Sequence, residues 1–209
     1  MKITYNILLK YLLKLHNLSY YLINVVLSRA EKVHPKHHLM NYHKFFVDNV
    51  CKNDTVLDIG CGKGEVAFDV AKKARSVLGI DLNKEYLEFA QKNCSSQNIN
   101  YVYGDATKDL PEQKFDVIIL SNVLEHIEKR IDFLNKIKKL APKILIRVPM
   151  IDRAWTVLYK KEMGVEWRYD LTHYTEYTLE SFKEEIKQAG LKIKNYSVQF
   201  GEIWGIVEI

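Results

Sequence analysis

Cysteine and proline are scarce in this chain, with three Cys and four Pro among 209 residues. Cys51, Cys61 and Cys94 form no Cys-x-x-Cys pair and no cluster with histidine, which argues against a disulfide scaffold or a zinc ribbon. We therefore expect a reducing compartment, the cytoplasm. Apolar residues make up 47% and charged residues 27% of the chain, which excludes a disordered or multi-span membrane protein. The length suits a single α/β domain.

Acidic residues are nearly absent from the front of the chain. Residues 1–50 hold seven Lys or Arg but only two acids, so this segment carries the whole net charge of +5, and the remainder is neutral. Long uncharged runs are lacking too. The longest here, 15–28, has 14 residues, fewer than the roughly 18–20 of a membrane-spanning helix. Lys10 and Lys14 interrupt the apolar stretch, which argues against a signal peptide.

Residues 1–40 are predicted to form an amphipathic helical segment, and residues 41–209 the domain proper. Two roles stay open for this segment. It packs on the domain as a cover, or it lies on an anionic membrane surface as a peripheral helix. The second role would place the protein at the inner face of a membrane.

From Thr55 onward, short β-like runs alternate with helix-length amphipathic segments, which is the pattern of a mostly parallel sheet flanked by helices. The predicted strands are 55–59, 76–80, 99–103, 115–120 and 144–148, with two more in the tail, 191–209. The predicted helices are 66–75, 84–93, 131–140 and 178–189. Residues 150–177 fit neither period and follow the carboxyl end of a strand, which is where open α/β sheets bind ligands.

The run VLDIGCGKG, residues 56–64, leads from an apolar strand into a turn with three glycines. Glycine lets the backbone approach a ligand, and the start of the helix that follows presents free N–H groups. The spacing matches neither the dinucleotide-binding G-x-G-x-x-G nor the Walker loop. Asp58 precedes the first glycine by two residues, and its carboxylate suits a cationic ligand better than a pyrophosphate.

Polar residues also end the next three strands. Asp81, in the sequence GID, suits the two hydroxyls of a ribose, and Asp105, in GDA, suits the amino group of an adenine. Ser121 and Asn122 end the fourth strand. Each acid by itself fits a helix cap. Because the carboxyl ends of parallel strands share one edge, together they predict a single binding site.

Taken in order, VLDIGCGKG, GID, GDA and FDVIILSNVLEHI resemble the motifs of the class I S-adenosylmethionine-dependent methyltransferases. The resemblance covers roughly residue 41 to the C-terminus. It implies a Rossmann-like, doubly wound α/β fold with a seven-stranded sheet, mostly parallel with an antiparallel last strand, and helices on both faces. It also implies S-adenosylmethionine as the cofactor, with Asp58 near its methionine end and Asp81 on its ribose. The residues predicted to bind the cofactor are Asp58, Gly60, Cys61, Gly62, Gly64, Asp81, Leu82, Asp105, Ala106, Ser121 and Asn122.

The methyl acceptor has to be argued from the site, because this fold serves many acceptors. The Asn-Pro-Pro-Tyr/Phe signature of nucleic-acid amino methyltransferases is absent, and residues 146–177 resemble methyltransferases encoded with polysaccharide-assembly enzymes. We therefore predict in-line methyl transfer to an oxygen of a small molecule or glycan, in polysaccharide biosynthesis. His173 is the candidate general base, oriented by Asp170 or Glu176. A structural histidine that bonds a loop carbonyl is the open alternative.

Five further residues are predicted to contact the acceptor. Arg147 and Arg153 would clamp a phosphate or carboxylate, with ion pairing to nearby acids as the alternative. Three aromatic side chains would stack on a sugar, with core packing as the alternative: Trp155, Trp167 and Tyr169.

Two other functions stay open. Glu125 and His126 resemble part of the Glu-x-x-Glu-His ligand set of metal-assisted RNA 2′-O-methyltransferases, with His173 as a further ligand. Asn122 stands at the first acid position, so we predict no metal, and we do not expect nucleic acid as a partner. The second alternative is a non-catalytic, cofactor-binding partner subunit.

Overall fold

A computed structural model describes residues 2–30 and 34–209. Met1 and residues 31–33 of the predicted segment 1–40 lie outside the described residues. The helices are α1 Lys2–Ala30, α2 Lys36–Met40, α3 Tyr42–Asp48, α4 Glu65–Ala71, α5 Lys84–Asn93, α6 Arg130–Ile137, α7 Trp155–Glu162 and α8 Leu179–Gln188, with a 3-10 turn at Leu124–His126. The strands are β1 Thr55–Ile59, β2 Ser76–Asp81, β3 Ile99–Tyr103, β4 Val117–Ser121, β5 Lys143–Pro149, β6 Lys192–Gln199 and β7 Glu202–Glu208.

The seven strands form one sheet in the order β3-β2-β1-β4-β5-β7-β6. The first five are parallel, and β7 runs antiparallel to both of its neighbours, β5 and β6. The predicted fold class is therefore confirmed. Phe200 and Gly201 both have positive φ, at 54° and 71°, as a tight hairpin between two antiparallel strands requires.

Apolar side chains cover both faces of the sheet, because successive residues of a strand point to opposite faces. One layer lies beneath α6 and α8 and includes Leu57, Ile118, Ile146, Phe133 and Phe182. The other lies beneath α3, α4 and α5 and includes Val56, Ile119, Leu145, Phe46 and Leu87. The central strands β1 and β4 are buried on both faces, so their carboxyl ends are held rigidly at one edge.

Several predicted boundaries differ from the structure. The helices predicted at 66–75 and 131–140 are shorter, because α4 ends at Ala71 and α6 at Ile137. Strand β4 begins two residues later than predicted, since the Phe115 amide donates to the Leu140 carbonyl (2.8 Å) instead of a neighbouring strand. The region 150–177 contains a helix, α7, that the sequence pattern missed. This helix buries Lys160 beside Val157, so it shows no apolar periodicity.

The first helix, α1, packs its inner face on α7 and on the segment that follows it. Lys160 is fully buried, and its Nζ lies 2.6 Å from Asn17 Oδ1 and 3.0 Å from His16 Nδ1. The rings of Tyr20 and Tyr169 stack with centroids 3.9 Å apart. No helix in the described part of the chain combines the length and apolar character needed to cross a bilayer.

Candidate active site

The glycine turn after β1 is fastened to the end of β2. The amides of Gly60 and Cys61 both donate to the Ile80 carbonyl, at 2.8 and 3.2 Å. A Cβ atom on Gly60 would lie 2.6 Å from Val123 Cγ2, so the loop after β4 closes directly over the turn. The loops that follow β1, β2 and β4 therefore meet at one edge of the sheet.

Asp81, the predicted ribose residue, is held by two backbone amides. Its Oδ2 accepts from Gly62 N at 2.7 Å, and its Oδ1 accepts from Asn83 N at 2.8 Å. A carboxylate oxygen can accept more than one hydrogen bond, so each oxygen keeps acceptor capacity toward a hydroxyl. Leu82, also a predicted cofactor residue, is largely exposed beside it.

Asp58 is a buried carboxyl group with an unused oxygen. Its Oδ2 has no hydrogen-bond partner among the described residues. Burial, together with the charge of Asp81, raises the pKa of Asp58 to about 8. Asn122 repeats the pattern, with a buried Oδ1 that lacks a partner in the described part of the chain and a backbone φ of 56°.

These orphaned oxygens border a turn with room beside it. Apart from its two chain neighbours, no described residue has an atom within 4 Å of the position that a Cβ atom would take at Gly62. A buried carboxyl without a partner is costly, and a cationic group offsets that cost. The residues at this edge therefore fit a ligand that carries a positive charge beside Asp58 and hydroxyl groups beside Asp81.

Asp105, the predicted adenine residue, is largely engaged by its own loop. Its Oδ1 accepts from Thr107 N (2.9 Å) and Thr107 Oγ1 (2.7 Å), and its Oδ2 pairs with Lys108 Nζ at 2.9 Å. The hydrogen bonds from Thr107 and Lys108 lower the pKa of Asp105 to about 2. Ala106 packs against the core, and Ser121 Oγ accepts from Arg147 at 3.4 Å.

The predicted base, His173, is buried in the segment after α7. Its Nδ1 lies 3.1 Å from Glu176 Oε1. Asp170, the other predicted orienting acid, instead accepts from Thr172 N at 2.9 Å and Thr172 Oγ1 at 2.6 Å. The structure thus brings Glu176, and not Asp170, to the histidine.

A second histidine and a buried acid complete this cluster. The ring centroids of His126 and His173 lie 4.7 Å apart, and the Tyr174 amide donates to the Glu125 carbonyl at 2.8 Å. Ligand atoms of Glu125, His126 and His173 all lie within 4.8 Å of one another. Neither carboxyl oxygen of Glu125 has a hydrogen-bond partner among the described residues. Burial raises the pKa of Glu125 to about 8, and burial with the nearby His173 charge lowers the pKa of His126.

Arg147, a predicted acceptor clamp, is buried and fully paired. Its Nε and Nη2 donate to Glu202 Oε2 and Oε1, at 2.5 and 2.7 Å, and its guanidinium lies 3.7 Å from the centre of the Tyr42 ring. This bidentate pair corresponds to the ion-pair alternative. Glu202 and Tyr42, which complete the pair, were missed because nothing in the sequence connects them to β5.

The other predicted acceptor residues do not line a common binding surface. Arg153 donates to the Met150 carbonyl and pairs with Glu176, while its buried Nη2 lacks a partner among the described residues. Tyr169 stacks on α1, as described above. Trp155 is 74% exposed, and Trp167 is half-buried beneath Lys161.

Comparison with known proteins agrees with this geometry. Residues 51–152 match a protein family described as a methyltransferase domain. These residues include the glycine turn, Asp58, Asp81 and Glu125, so the match covers the edge at which the loops meet. Residues 51–152 are therefore a methyltransferase domain of the class I, S-adenosylmethionine-dependent type. S-adenosylmethionine is the cofactor of this family.

Individual relatives are similar to parts of this methyltransferase. A ubiquinone biosynthesis O-methyltransferase of Pelagibacter ubique is 32% identical over 98 residues, which cover 46% of this chain and 41% of the relative. The chain spans about half the length of the curated relatives that it matches.

Solved structures share the fold. A Haloferax volcanii methyltransferase in complex with the Trm112 methyltransferase activator has a TM-score of 0.66 at 15% identity, covering 82% of this chain and 91% of that one. Magnesium protoporphyrin IX methyltransferase from Synechocystis, with bound SAH, has a TM-score of 0.63 at 18% identity, covering 83% and 82%.

The glycine turn of this methyltransferase allows a matched stability test. Gly64 has φ of 80°, and a Cβ atom there would collide with the Tyr101 hydroxyl and lie 2.9 Å from Ala90 Cβ. Gly62 has φ of 54° in open space. We expect Gly64→Ala to lower the free energy of unfolding by about 3 kcal/mol or more, from strain plus overpacking. Gly62→Ala should cost about 1–2 kcal/mol, from strain only. Urea unfolding measures both, and equal losses would contradict this account of the turn.

Proposed function

We propose that this methyltransferase transfers the methyl group of S-adenosylmethionine to an oxygen of a small-molecule or glycan acceptor. The observation that carries the proposal is the His173–Glu176 pair, buried next to the loop after β4 and therefore close to the cofactor edge. An in-line displacement depends mainly on positioning. A hydroxyl acceptor also benefits from a base that takes its proton.

The residues around the glycine turn are proposed to hold the cofactor. When bound, S-adenosylmethionine supplies an electrophilic methyl group on a positively charged sulfur. Asp58 faces its cationic methionine end, Asp81 accepts from its ribose hydroxyls, and Asp105 reaches its adenine by exchanging one of its local hydrogen bonds. Asn122 offers an amide oxygen beside Asp58. The orphaned oxygens of Asp58 and Asn122 support this assignment.

On the acceptor side, His173 is proposed to take the hydroxyl proton. Because Glu176 Oε1 lies near Nδ1, the carboxylate favours a proton on Nδ1 and leaves Nε2 free to accept another. Glu176 also holds Arg153, so the acid positions both side chains. Arg153 Nη2, which has no hydrogen-bond partner among the described residues, then suits an oxygen atom of the acceptor.

The acceptor hydroxyl belongs either to a small molecule or to a sugar. The names of the curated relatives, which act in ubiquinone biosynthesis, support a hydroxyl on a small molecule. The likeness of residues 146–177 to enzymes of polysaccharide assembly supports a sugar hydroxyl. Incubation with S-adenosylmethionine labelled in its methyl group, against panels of phenols and of sugars, compares the two. Label transferred to neither panel, with the cofactor still bound, would favour the non-catalytic partner subunit.

A cation-dependent reaction is the second candidate, because Glu125, His126 and His173 bring three ligand atoms within 4.8 Å of one another. One carboxylate and two imidazoles suit a divalent transition metal such as zinc. Such an ion would polarise the acceptor hydroxyl and so lower its pKa. His173 would then act as a ligand and not as a base.

Glu125→Gln separates the two candidates. If a cation binds here, the variant should lose most of its Zn²⁺ affinity, by roughly tenfold or more, while its affinity for S-adenosylmethionine stays near that of the wild type. Calorimetric titration with Zn²⁺ and with the cofactor measures both. Glu128→Gln, three residues further on and exposed, is the matched control. Wild-type protein that binds no Zn²⁺ in this titration would remove the second candidate.

A further inference from the structure

Helix α1 faces the domain with a stripe that mixes polar and apolar side chains. Leu13 is buried, and partly buried Leu9 and Leu27 share this face with Asn17 and Asn24. Asn17 Nδ2 donates to the Glu166 carbonyl at 2.6 Å, and Asn17 Oδ1 accepts from buried Lys160. Asn24 Oδ1 lies 3.3 Å from His34 Nε2. A helix that merely covers a protein core turns most of its large apolar side chains inward, whereas most of those of α1 stay exposed.

The outer face of α1 is apolar along its length. Side chains spaced three or four residues apart lie on one face of a helix. One such stripe is between 49% and 67% exposed and comprises Leu8, Tyr11, Leu15, Leu18, Leu22 and Val26. Ile7, Leu12 and Ile23, also more than half exposed, widen it. An apolar surface of this length marks an interaction site.

The charges on α1 indicate what covers this surface. The helix Lys2–Ala30 contains three lysines and one arginine and no acidic residue. Pairing with α1 of a second copy would place basic residues next to each other, without the opposite charges that flank a stable coiled-coil seam. An anionic lipid surface supplies both the apolar layer and the negative charge.

We propose that α1 docks this protein onto an anionic lipid bilayer, with its outer stripe in the interface and its axis in the membrane plane. Lys10 and Lys14 are both exposed and lie about one turn apart on the same helix, from which their long side chains reach lipid phosphates. The inner face of α1 holds Tyr169 and the Glu166 backbone, so the acceptor segment lies directly behind the docked helix. Docking itself does not depend on the proposed reaction. If that reaction is correct, the acceptor reaches the site from the membrane.

Co-sedimentation of the full chain with vesicles tests docking. We expect binding to vesicles of phosphatidylglycerol and phosphatidylcholine at low salt, and binding at least roughly tenfold weaker to phosphatidylcholine alone. High salt should weaken binding to the anionic vesicles. The double variant Leu15→Gln and Leu22→Gln should bind the anionic vesicles at least roughly tenfold more weakly than the wild type, because two apolar contacts with the interface are lost.

Matched variants separate the contributions. Lys10→Gln with Lys14→Gln should weaken binding to anionic vesicles by about tenfold and leave binding to neutral ones unchanged. Val198→Gln, an exposed apolar residue on β6, and Lys92→Gln, an exposed lysine on α5, should bind as the wild type does. Calorimetry with S-adenosylmethionine confirms that each variant is folded.

Two results would overturn docking. One is the absence of wild-type sedimentation with anionic vesicles at low salt. The other is a dimer in analytical ultracentrifugation that dissociates in the Leu15/Leu22 variant, because the stripe would then be occupied by a second copy. A failure to detect methyl transfer affects neither measurement, so the two proposals fail independently.

Discussion

Asp81→Ala is expected to weaken the binding of S-adenosylmethionine by about 100-fold or more while the fold stays intact. The carboxylate is proposed to accept from two ribose hydroxyls, and hydrogen bonds to a charged group contribute about 1.5–3 kcal/mol each. A loss of about 3 kcal/mol corresponds to about 100-fold in affinity. The variant also removes the acceptor that holds the Gly62 amide at 2.7 Å, which loosens the turn. Calorimetric titration with the cofactor measures the effect.

The control for this variant is Asp132→Ala, an exposed acid on α6. It should bind the cofactor as the wild type does. Thermal unfolding of both variants shows whether the Asp81 substitution leaves the core intact. A cofactor affinity that stays unchanged in Asp81→Ala would remove this strand end from the binding site.

His173→Ala is expected to lower turnover by about 100-fold or more, as the loss of a general base does, with cofactor affinity near that of the wild type. Glu176→Gln should reduce turnover less, because the imidazole remains but loses the carboxylate 3.1 Å from its Nδ1. Steady-state rates on the acceptor found in the labelling assay measure both.

Tyr174→Phe is the matched control, since this neighbour is 64% exposed and is proposed to have no role in proton transfer. A near-normal rate in His173→Ala would make His173 a structural residue. The step would then depend on positioning, or on another base.

Much of the cofactor edge is predictable from the sequence. Parallel strands buried on both faces appear as short apolar runs, and their carboxyl ends must meet at one edge, so Asp58, Asp81 and Asn122 are placed without knowledge of the structure. The predicted helix 84–93 and strand 99–103 match α5 and β3 at both ends. Strong local patterns carry this information: a glycine turn, a period of two or 3.6 residues, and a cap.

The acceptor side depends on contacts that are distant in sequence. Asp170 and Glu176 both lie three residues from His173, and spacing does not distinguish them; the loop conformation brings only Glu176 to the imidazole. Glu125 reaches the same cluster because the Tyr174 amide fixes its backbone, 49 residues along the chain. Such loops have no hydrophobic periodicity from which their conformation could be predicted. Their conformation follows from the helices and strands around them.

The fold class, the glycine turn and the order of the polar strand ends can be read from the sequence alone, because they follow from local periodicity and from the geometry of parallel sheets. Which face of α1 points inward depends instead on contacts between distant parts of the chain. The sequence of an apolar and basic helix is compatible with packing on the domain and with binding to a membrane surface. The hydropathy of the helix is the same in both cases, so it does not distinguish them. Buried Lys160 attracts the polar side of the helix through Asn17 and His16, since a buried ammonium requires hydrogen-bond acceptors. Five leucines of α1 therefore face outward, while Leu13 is buried.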